Sequence, residues 1–238
     1  MKAYRTIPIT ECGEPLVPIQ KGLFPLFDPP PYVACGAPYG DASPWMLRKG
    51  VAEALTRAQE KLITRCPGWK IMIFDAYRPN EVQAFMVNRE FGIKAKEAGL
   101  DPAALTPAQR EKLAEKVYKY WGVPSEDPAT PPPHSTGAAI DCTFMDEHGH
   151  EVDMGSPIDE GTERSDPNHF ATATDTAGKQ AHANRTLLAE LMRNEGFHMH
   201  ENEWWHFSKG DQYWAWCERE SKPSNQAIAI YGRAALLK

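Results

Sequence analysis

The 238-residue sequence has no apolar run long enough to cross a bilayer and no block of Lys or Arg. A transmembrane helix needs about 20 apolar residues, and a protein that follows a phosphate backbone needs clustered positive charge. The formal net charge is −6 and is spread along the chain. We therefore expect neither a membrane nor a nucleic acid as a partner. The N-terminus also lacks the apolar stretch of a signal peptide, which predicts a cytoplasmic protein.

Cysteine pairs are also missing. The five cysteines are an odd number, they are widely separated, and no two have the CxxC spacing. This pattern excludes a disulfide framework and a cysteine-type zinc site, and it predicts reduced thiols. They are Cys12, Cys35, Cys66, Cys142 and Cys217.

The composition is that of a globular protein, with 42% hydrophobic and 24% charged residues. We expect one domain over 1–238, in which 1–42 and 209–238 are peripheral segments. The length allows a sizeable core without metal or disulfide support. The sequence does not indicate the oligomeric state.

Hydrophobic periodicity predicts the main elements. Apolar residues recur every three or four positions over 43–66, which predicts a helix. The run "WKIMIFD" predicts a buried strand that ends at Asp75. A second helix is expected after the N-cap Thr106, and a second strand over 137–144. Helices grouped with a few separated strands favour an α+β fold with a small, mostly antiparallel sheet flanked by helices.

The segment "PPPHSTGAAIDC" places His134 and Asp141 on either side of a turn at Gly137. A simple interpretation is a loop that ends where a strand begins. The alternative is a pair of metal ligands, because the alternation of strand side chains lets the carboxylate of Asp141 turn towards the imidazole. Cys142 would then point into the core.

The segment "ENEWWHFS" places Glu203 three residues before His206. A catalytic zinc site typically has three protein ligands and an open position for water. The residues His134, Asp141 and His206 supply that number, and Glu203 could accept the proton of the water. Residues three apart on a flat strand point to opposite faces, so we predict a twist or bulge at Trp204-Trp205 or the end of a strand there.

Two further interpretations compete with these. A three-histidine site could form from His198, His200 and His206, although no carboxylate stands at a definite spacing to act as its base. Arg78, in "FDAYRP", follows a buried strand, where a guanidinium suits an oxygen that becomes anionic in a reaction. Taken alone, Arg78 is better explained by a structural salt bridge to Asp75 or Glu81.

Together these segments resemble the D-alanyl-D-alanine dipeptidases, which are zinc peptidases of the M15 family. The family motifs are an arginine in "YRP", the pattern H-x-x-G-x-A-x-D, and the sequence E-W-W-H, and all three stand here in order. The segment "DMGSPID" matches a fourth motif. The resemblance runs from about Ser43 to Ser208 and implies a Hedgehog/DD-peptidase-like fold.

The resemblance also implies roles for individual residues. One Zn²⁺ per chain is bound by His134, Asp141 and His206, with Glu203 as general base and Arg78 stabilising the oxyanion. Asp159 matches the aspartate that binds the free ammonium group of a small dipeptide substrate.

One position departs from the pattern. Family members commonly have serine two residues before the first zinc histidine, and Pro132 stands there in this chain. Because proline has neither a hydroxyl nor a backbone N–H, this substrate contact is lost or replaced. The stereochemical preference of the site is therefore less well determined by the resemblance than its chemistry.

The implied function is hydrolysis of D-alanyl-D-alanine, or a related D-amino-acid dipeptide, in peptidoglycan turnover. One alternative is a D,D- or L,D-carboxypeptidase on the same scaffold, which would act on longer peptidoglycan peptides. An alternative of another class is a zinc-binding module without turnover. The presence of Glu203 and Arg78 argues against that module, because a site that only binds has no need of a proton acceptor.

Overall fold

The computed structural model describes residues 2–222, 224 and 226–234, which form six α-helices and six strands. The helices are α1 (Pro31–Ala34), α2 (Lys49–Arg65), α3 (Asn80–Glu97), α4 (Pro107–Tyr120), α5 (Thr176–Asn194) and α6 (Gln212–Ser221). The strands are β1 (Leu16–Pro18), β2 (Met46–Arg48), β3 (Lys70–Asp75), β4 (Ala139–Met145), β5 (His198–His200) and β6 (Glu203–Ser208). Short 3-10 helices cover Ala3–Thr6, Pro102–Ala104, Pro133–Thr136 and Glu163–Ser165.

The strands form two small antiparallel sheets. β1 pairs with β2, and the larger sheet has the order β3-β4-β6-β5. Helices α2 and α5 contact each other and strands of this larger sheet. The predicted α+β fold with a small antiparallel sheet flanked by helices is therefore confirmed. In the described part of the chain, no helix has both the length and the apolar character that a membrane crossing needs.

Strand β4 has one face that packs in the hydrophobic core and one face that carries polar groups. Ile140, Cys142 and Phe144 are fully buried in the main hydrophobic cluster, as the alternation of a strand predicts. Asp141 points to the other face, which carries the polar groups. Full burial of one such apolar side chain contributes about 1.5–3 kcal/mol. The same cluster contains Leu55, Leu62, Ile71, Ile73, Leu188 and Met192.

The element boundaries agree with the prediction at two places and differ at a third. Strand β3 ends at Asp75, and α4 begins after a capping box in which Thr106 and Gln109 bond each other's backbone N–H groups. The helix predicted over 43–66 begins only at Lys49. The three residues before Lys49 form β2 instead, because they pair with β1, a partner that helical periodicity does not reveal.

The two segments that were predicted to be peripheral contact each other and the centre of the molecule. The N–H of Thr10 donates to the carbonyl of Ala229 at 2.8 Å, and the N–H of Ala234 donates to Ser135 at 2.9 Å. Residues 235–238 lie outside the described residues. The limits of the single domain over 1–238 stay a prediction.

Candidate metal centre

His134 is presented by a short helical turn and is held in one tautomer. Its Nδ1 lies 2.7 Å from the carbonyl oxygen of Ala76. Because a carbonyl can only accept a hydrogen bond, Nδ1 carries the proton and Nε2 keeps a free lone pair. Gly137, with a φ of 71°, ends the turn and starts the chain towards β4. The proline-rich segment is therefore followed by a histidine whose ring orientation is fixed.

Asp141 and His206 face each other across the β4–β6 pair. They are partners in the strand register, and the Asp141 Oδ1 lies 3.0 Å from Nδ1 of His206. The other nitrogen of His206, Nε2, contacts Ser208 Oγ at 3.3 Å, and the Ser208 hydroxyl donates to Asp211 at 2.8 Å. Since the hydroxyl proton is directed to Asp211, Ser208 accepts from Nε2–H. The Nδ1 atom of His206 is therefore unprotonated.

These contacts bring His134, Asp141 and His206 together as a buried group in which one ligand atom from each residue lies within 4.8 Å of the other two. The Nε2 of His134 lies 3.1 Å from Nδ1 of His206. Both nitrogens present lone pairs, and the third member is an anion, so mutual repulsion disfavours the group without a positive charge among them. Two imidazoles and one carboxylate are a ligand set suited to a divalent metal such as zinc. The residues present therefore fit the metal that the sequence predicts.

Asp141 is ionised in this environment. Burial by itself would raise the pKa of its carboxyl group, but positive charge on His134 and His206 outweighs burial and holds the pKa well below its usual range. The second oxygen, Oδ2, also accepts a hydrogen bond from Arg78 at 3.1 Å. Asp141 is thus available as an anionic ligand across the physiological pH range.

Glu203 lies beside this group because β6 is irregular. β5 and β6 are in register at Met199 and Phe207, and the register then shifts so that His200 pairs with Glu203. This shift confirms the predicted irregularity in the Trp204-Trp205 stretch. It brings Oε2 of Glu203 to 3.9 Å from Nδ1 of His206. Burial raises the pKa of Glu203 well above its ordinary value, and the charge of Asp141 adds to the increase.

Arg78 lines the same cleft, and most of its N–H groups already donate hydrogen bonds. It is buried, and it donates to Asp75 at 2.9 Å, Gln83 at 2.9 Å, Tyr32 at 2.9 Å and Asp141 at 3.1 Å. The alternative interpretation, a salt bridge to Asp75, is therefore present in the structure. These four bonds leave one of the five guanidinium N–H groups for another acceptor.

Asp159 reaches the cleft from the long connection between β4 and α5. Its backbone has a φ of 63°, and its Oδ2 accepts a 2.7 Å hydrogen bond from the Tyr32 hydroxyl. Although part of the residue is exposed, its carboxyl group lines the cleft. Burial of the carboxyl group and the negative charge of Asp141 raise the pKa of Asp159 to about 7. A positive group placed beside it would favour the ionised form.

The cleft that contains these groups is suited to a small molecule. The space within it that the centre of a water molecule can reach is about 40 Å³, which is room for about three water molecules or a small group of similar size. Trp205 lines the cleft, whereas Trp204 turns away and donates from Nε1 to Ser156 at 3.0 Å. The tryptophan pair therefore has two functions, since one ring forms a cleft wall and the other anchors the "DMGSPID" loop.

Sequence reasoning missed three residues of this site. Tyr32 contacts both Arg78 and Asp159, but it lies in a proline-rich segment without a motif. Ser208 and Asp211 orient His206. Ser208 had a signal that could have been used, because it lies two positions after His206 on the same strand face.

The competing three-histidine site does not form. His198 Nε2 lies 2.8 Å from a Glu218 carboxylate oxygen, so His198 is engaged in a hydrogen bond with Glu218. His200 does lie near the centre, with its ring centroid 5.6 Å from that of His206. Burial lowers the pKa of His200, so it is neutral beside the group.

The chain is similar to known peptidases over most of its length. The profile of the peptidase M15 family, described as D-ala-D-ala dipeptidase, matches residues 31–223. A D-alanyl-D-alanine dipeptidase of Synechocystis sp. strain PCC 6803 is 45% identical over 98% of this chain and 97% of its own length. The enzyme of the same name from Escherichia coli K12 is 32% identical over 68% of this chain and 65% of its own length.

One solved structure is also similar in outline. It is the LD-carboxypeptidase LdcB, which is 15% identical, with a TM-score of 0.46 over 92% of this chain and 77% of that chain.

Proposed function

The chain belongs to the peptidase M15 family of D-ala-D-ala dipeptidases, and on this premise we propose that it hydrolyses D-alanyl-D-alanine or a related D-amino-acid dipeptide. The family consists of metal-dependent peptidases. The observation that supports the proposal best is the convergence of His134, Asp141 and His206 beside Glu203 in one cleft. A binding module would not require the last of these groups.

We assign one zinc ion to His134, Asp141 and His206. Zinc accepts nitrogen and carboxylate ligands in a tetrahedral arrangement, and three protein ligands leave one position open. When bound, the metal supplies Lewis acidity that polarises a peptide carbonyl and acidifies water. The tautomers of both imidazoles already direct unprotonated nitrogens to the site.

Glu203 is the proposed general base. Its carboxyl group lies 3.9 Å from Nδ1 of His206, and a metal cation beside it would favour the ionised form that accepts a proton. It takes the proton from the attacking water and passes it to the amine that leaves when the peptide bond breaks. Arg78 is proposed to stabilise the oxyanion through its remaining N–H group and its positive charge.

Asp159 is proposed to bind the free ammonium group of the substrate. Its carboxylate lies in the cleft beside the Tyr32 hydroxyl, and an anion at this end selects peptides whose N-terminus is charged. Such selection separates a dipeptidase from a carboxypeptidase, which would accept a blocked N-terminus.

The test compares the zinc-loaded protein on D-Ala-D-Ala and on N-acetyl-D-Ala-D-Ala. We expect kcat/KM for the free dipeptide to be higher by about tenfold or more, because an acetyl group removes the charge that Asp159 binds. A preference for the acetylated peptide would instead indicate a D,D- or L,D-carboxypeptidase. Elemental analysis of the purified protein tests the metal and its stoichiometry.

The biological context is the remaining part of the proposal. A role in peptidoglycan turnover fits the proposed substrate, and the predicted location is the cytoplasm. Immunodetection in separated cytoplasmic and envelope fractions checks the location.

A further inference from the structure

A free dipeptide carries two opposite charges, and the proposed function accounts for only one of them. Asp159 is assigned to the ammonium group. The carboxylate of the second residue also has to be desolvated in the cleft, and this is costly unless a cation or several donors replace its water. Pro132, which stands where the family commonly has serine, offers neither a hydroxyl nor an N–H for that purpose.

Two basic side chains, Arg78 and Lys2, line the cleft within the described residues, and they differ in their contacts. Arg78 already contacts the carboxylates of Asp75 and Asp141. Lys2 lines the same cleft. Of the carboxylates in the described part of the chain, none lies within 4.0 Å of the Lys2 ammonium. The Lys2 ammonium therefore forms no direct ion pair, although the charges of Glu203 and Glu201 act on it, and its N–H groups can still donate to an incoming anion.

The segment that carries Lys2 is anchored to the rest of the molecule. Tyr4 is buried, and its ring packs edge-on against Tyr213 with centroids 5.6 Å apart. Arg5 donates to Thr130 Oγ1 at 2.9 Å, and the Gln212 side chain donates to the carbonyl of Ile7 at 2.6 Å. Lys2 is thus presented by a packed segment, so little further ordering is needed when a ligand binds.

Lys2 lies near the other charged groups of the cleft. The charges of Lys2 and Asp159 both act on the carboxyl group of Glu203, so both lie near the proposed proton acceptor. Lys2 also lines a neighbouring cavity, together with Tyr118, Lys119 and Trp216. Lys2 therefore lies where the metal cleft and the neighbouring cavity meet.

We propose that Lys2 binds the C-terminal carboxylate of the dipeptide substrate and ends the cleft after one residue beyond the scissile bond. This inference rests on the proposed function. It places a specificity-determining residue outside the part of the chain that the family profile matches, residues 31–223.

The test measures KM and kcat for D-Ala-D-Ala and for its C-terminal amide with wild type, Lys2→Met and Lys2→Arg. Lys2→Met should raise KM for the free dipeptide by about tenfold to a hundredfold, because a charge-assisted hydrogen bond is lost. The amide has no carboxylate, so its KM should be the same in wild type and in Lys2→Met. Lys2→Arg should restore most of the affinity for the free dipeptide.

Lys119→Met is the matched control, since this exposed lysine lines the neighbouring cavity and not the metal cleft. Its KM for both substrates should equal that of the wild type. The Lys2 proposal is overturned if Lys2→Met changes neither substrate, or if it lowers kcat equally for both, which would mean that Lys2 acts on Glu203. Loss of activity on both substrates in the wild type would instead overturn the proposed function and the Lys2 proposal with it.

Discussion

The tautomers of His134 and His206 determine whether these residues can bind a metal. The ring N–H of His134 donates a hydrogen bond to the carbonyl oxygen of Ala76, and the ring N–H of His206 donates to the hydroxyl of Ser208. Each ring therefore directs its unprotonated nitrogen into the cleft. Such partners fix the tautomer and orientation of a ligand, and their loss typically costs about 10- to 100-fold in metal affinity. At the residue scale, the cleft is therefore arranged as much by Ser208 and the Ala76 carbonyl as by the ligands.

Replacing Glu203 by Gln should separate binding from catalysis. We expect kcat for the free dipeptide to fall by about 10²- to 10⁴-fold, because the amide cannot accept a proton. Zinc stoichiometry, measured by elemental analysis, should not change. Glu201→Gln, an exposed substitution of the same kind, is the control and should keep wild-type kcat. A fully active Glu203→Gln protein would remove Glu203 from the mechanism.

Replacing Asp159 by Asn should weaken substrate binding and abolish its pH dependence. The pKa of Asp159 is raised to about 7 in the free protein, so the carboxylate is progressively protonated as the pH falls below that value. KM for the free dipeptide should therefore rise on acidification in the wild type. In Asp159→Asn, KM at pH 8 should be higher than in the wild type by about tenfold or more. The rise in KM on acidification should be absent from this variant. Glu163→Gln, in the same connection, should behave as the wild type.

The same substitution has an opposite effect on stability. Because the pKa of Asp159 is raised in the folded protein, its contribution to stability is present at low pH and is lost as the pH rises through about 7. Asp159→Asn removes this loss. In urea unfolding at pH 8, the variant should therefore have a higher midpoint than the wild type, and the difference should shrink at pH 5. A lower midpoint for the variant than for the wild type at pH 8 would contradict the raised pKa of Asp159 in the folded protein.

At the element scale, two local irregularities assemble the site. The register shift of β6 brings Glu203 to the side of His206. The turn at Gly137 connects the helical turn of His134 to the strand of Asp141. Neither feature belongs to a regular helix or strand, yet each could be placed from sequence, because the spacing of the required residues is incompatible with regular structure.

Gly137→Ala should destabilise the protein and weaken metal binding. A Cβ at this position would lie 2.3 Å from Leu16 Cδ2, and the residue has a φ of 71°. Gly149 has a similar φ of 84° but nothing within 4 Å of an added Cβ, so Gly149→Ala measures the backbone cost alone, about 1 kcal/mol. We expect about 2–4 kcal/mol for Gly137→Ala in urea unfolding. Equal costs for the two variants would exclude the steric contribution.

The start of α2 shows that hydrophobic periodicity alone does not predict where a helix begins. The apolar pattern over 43–66 is helical, but β2 occupies its first part because β1 offers a pairing partner. The N–H of Arg48 donates to the carbonyl of Gly137 at 2.8 Å, and its guanidinium Nε donates to Thr136. These long-range bonds override the local preference. They also tie the start of α2 to the turn that carries His134.

At the scale of the whole molecule, the metal should act as a crosslink. His134 and His206 are 72 positions apart, and their side chains meet only in the folded chain. A ligand that binds only the folded state stabilises it by about 2.7 kcal/mol at a hundred times its dissociation constant. For a chain of this size, that corresponds to a rise in Tm of about 5–10 °C.

Thermal unfolding with and without zinc checks this linkage. Wild-type protein treated with a chelator should melt at a lower temperature and recover when zinc is added. His206→Ala should show a much smaller response, whereas Asp146→Ala, in the turn that follows β4, should respond as the wild type. The same zinc response in His206→Ala and the wild type would place the stabilising metal elsewhere.

The sequence by itself determined the chemistry of this protein, because the M15 motifs, the α+β class and the spacing of His134, Asp141, Glu203 and His206 are all local patterns. Only the tertiary structure decided how these groups are oriented and charged. Tyr32, Lys2 and the Ser208–Asp211 pair reach the cleft from distant or unpatterned segments. The physical reason is that burial, tautomers and pKa values depend on which groups surround a side chain, and those neighbours come from chain folding and not from adjacency in sequence.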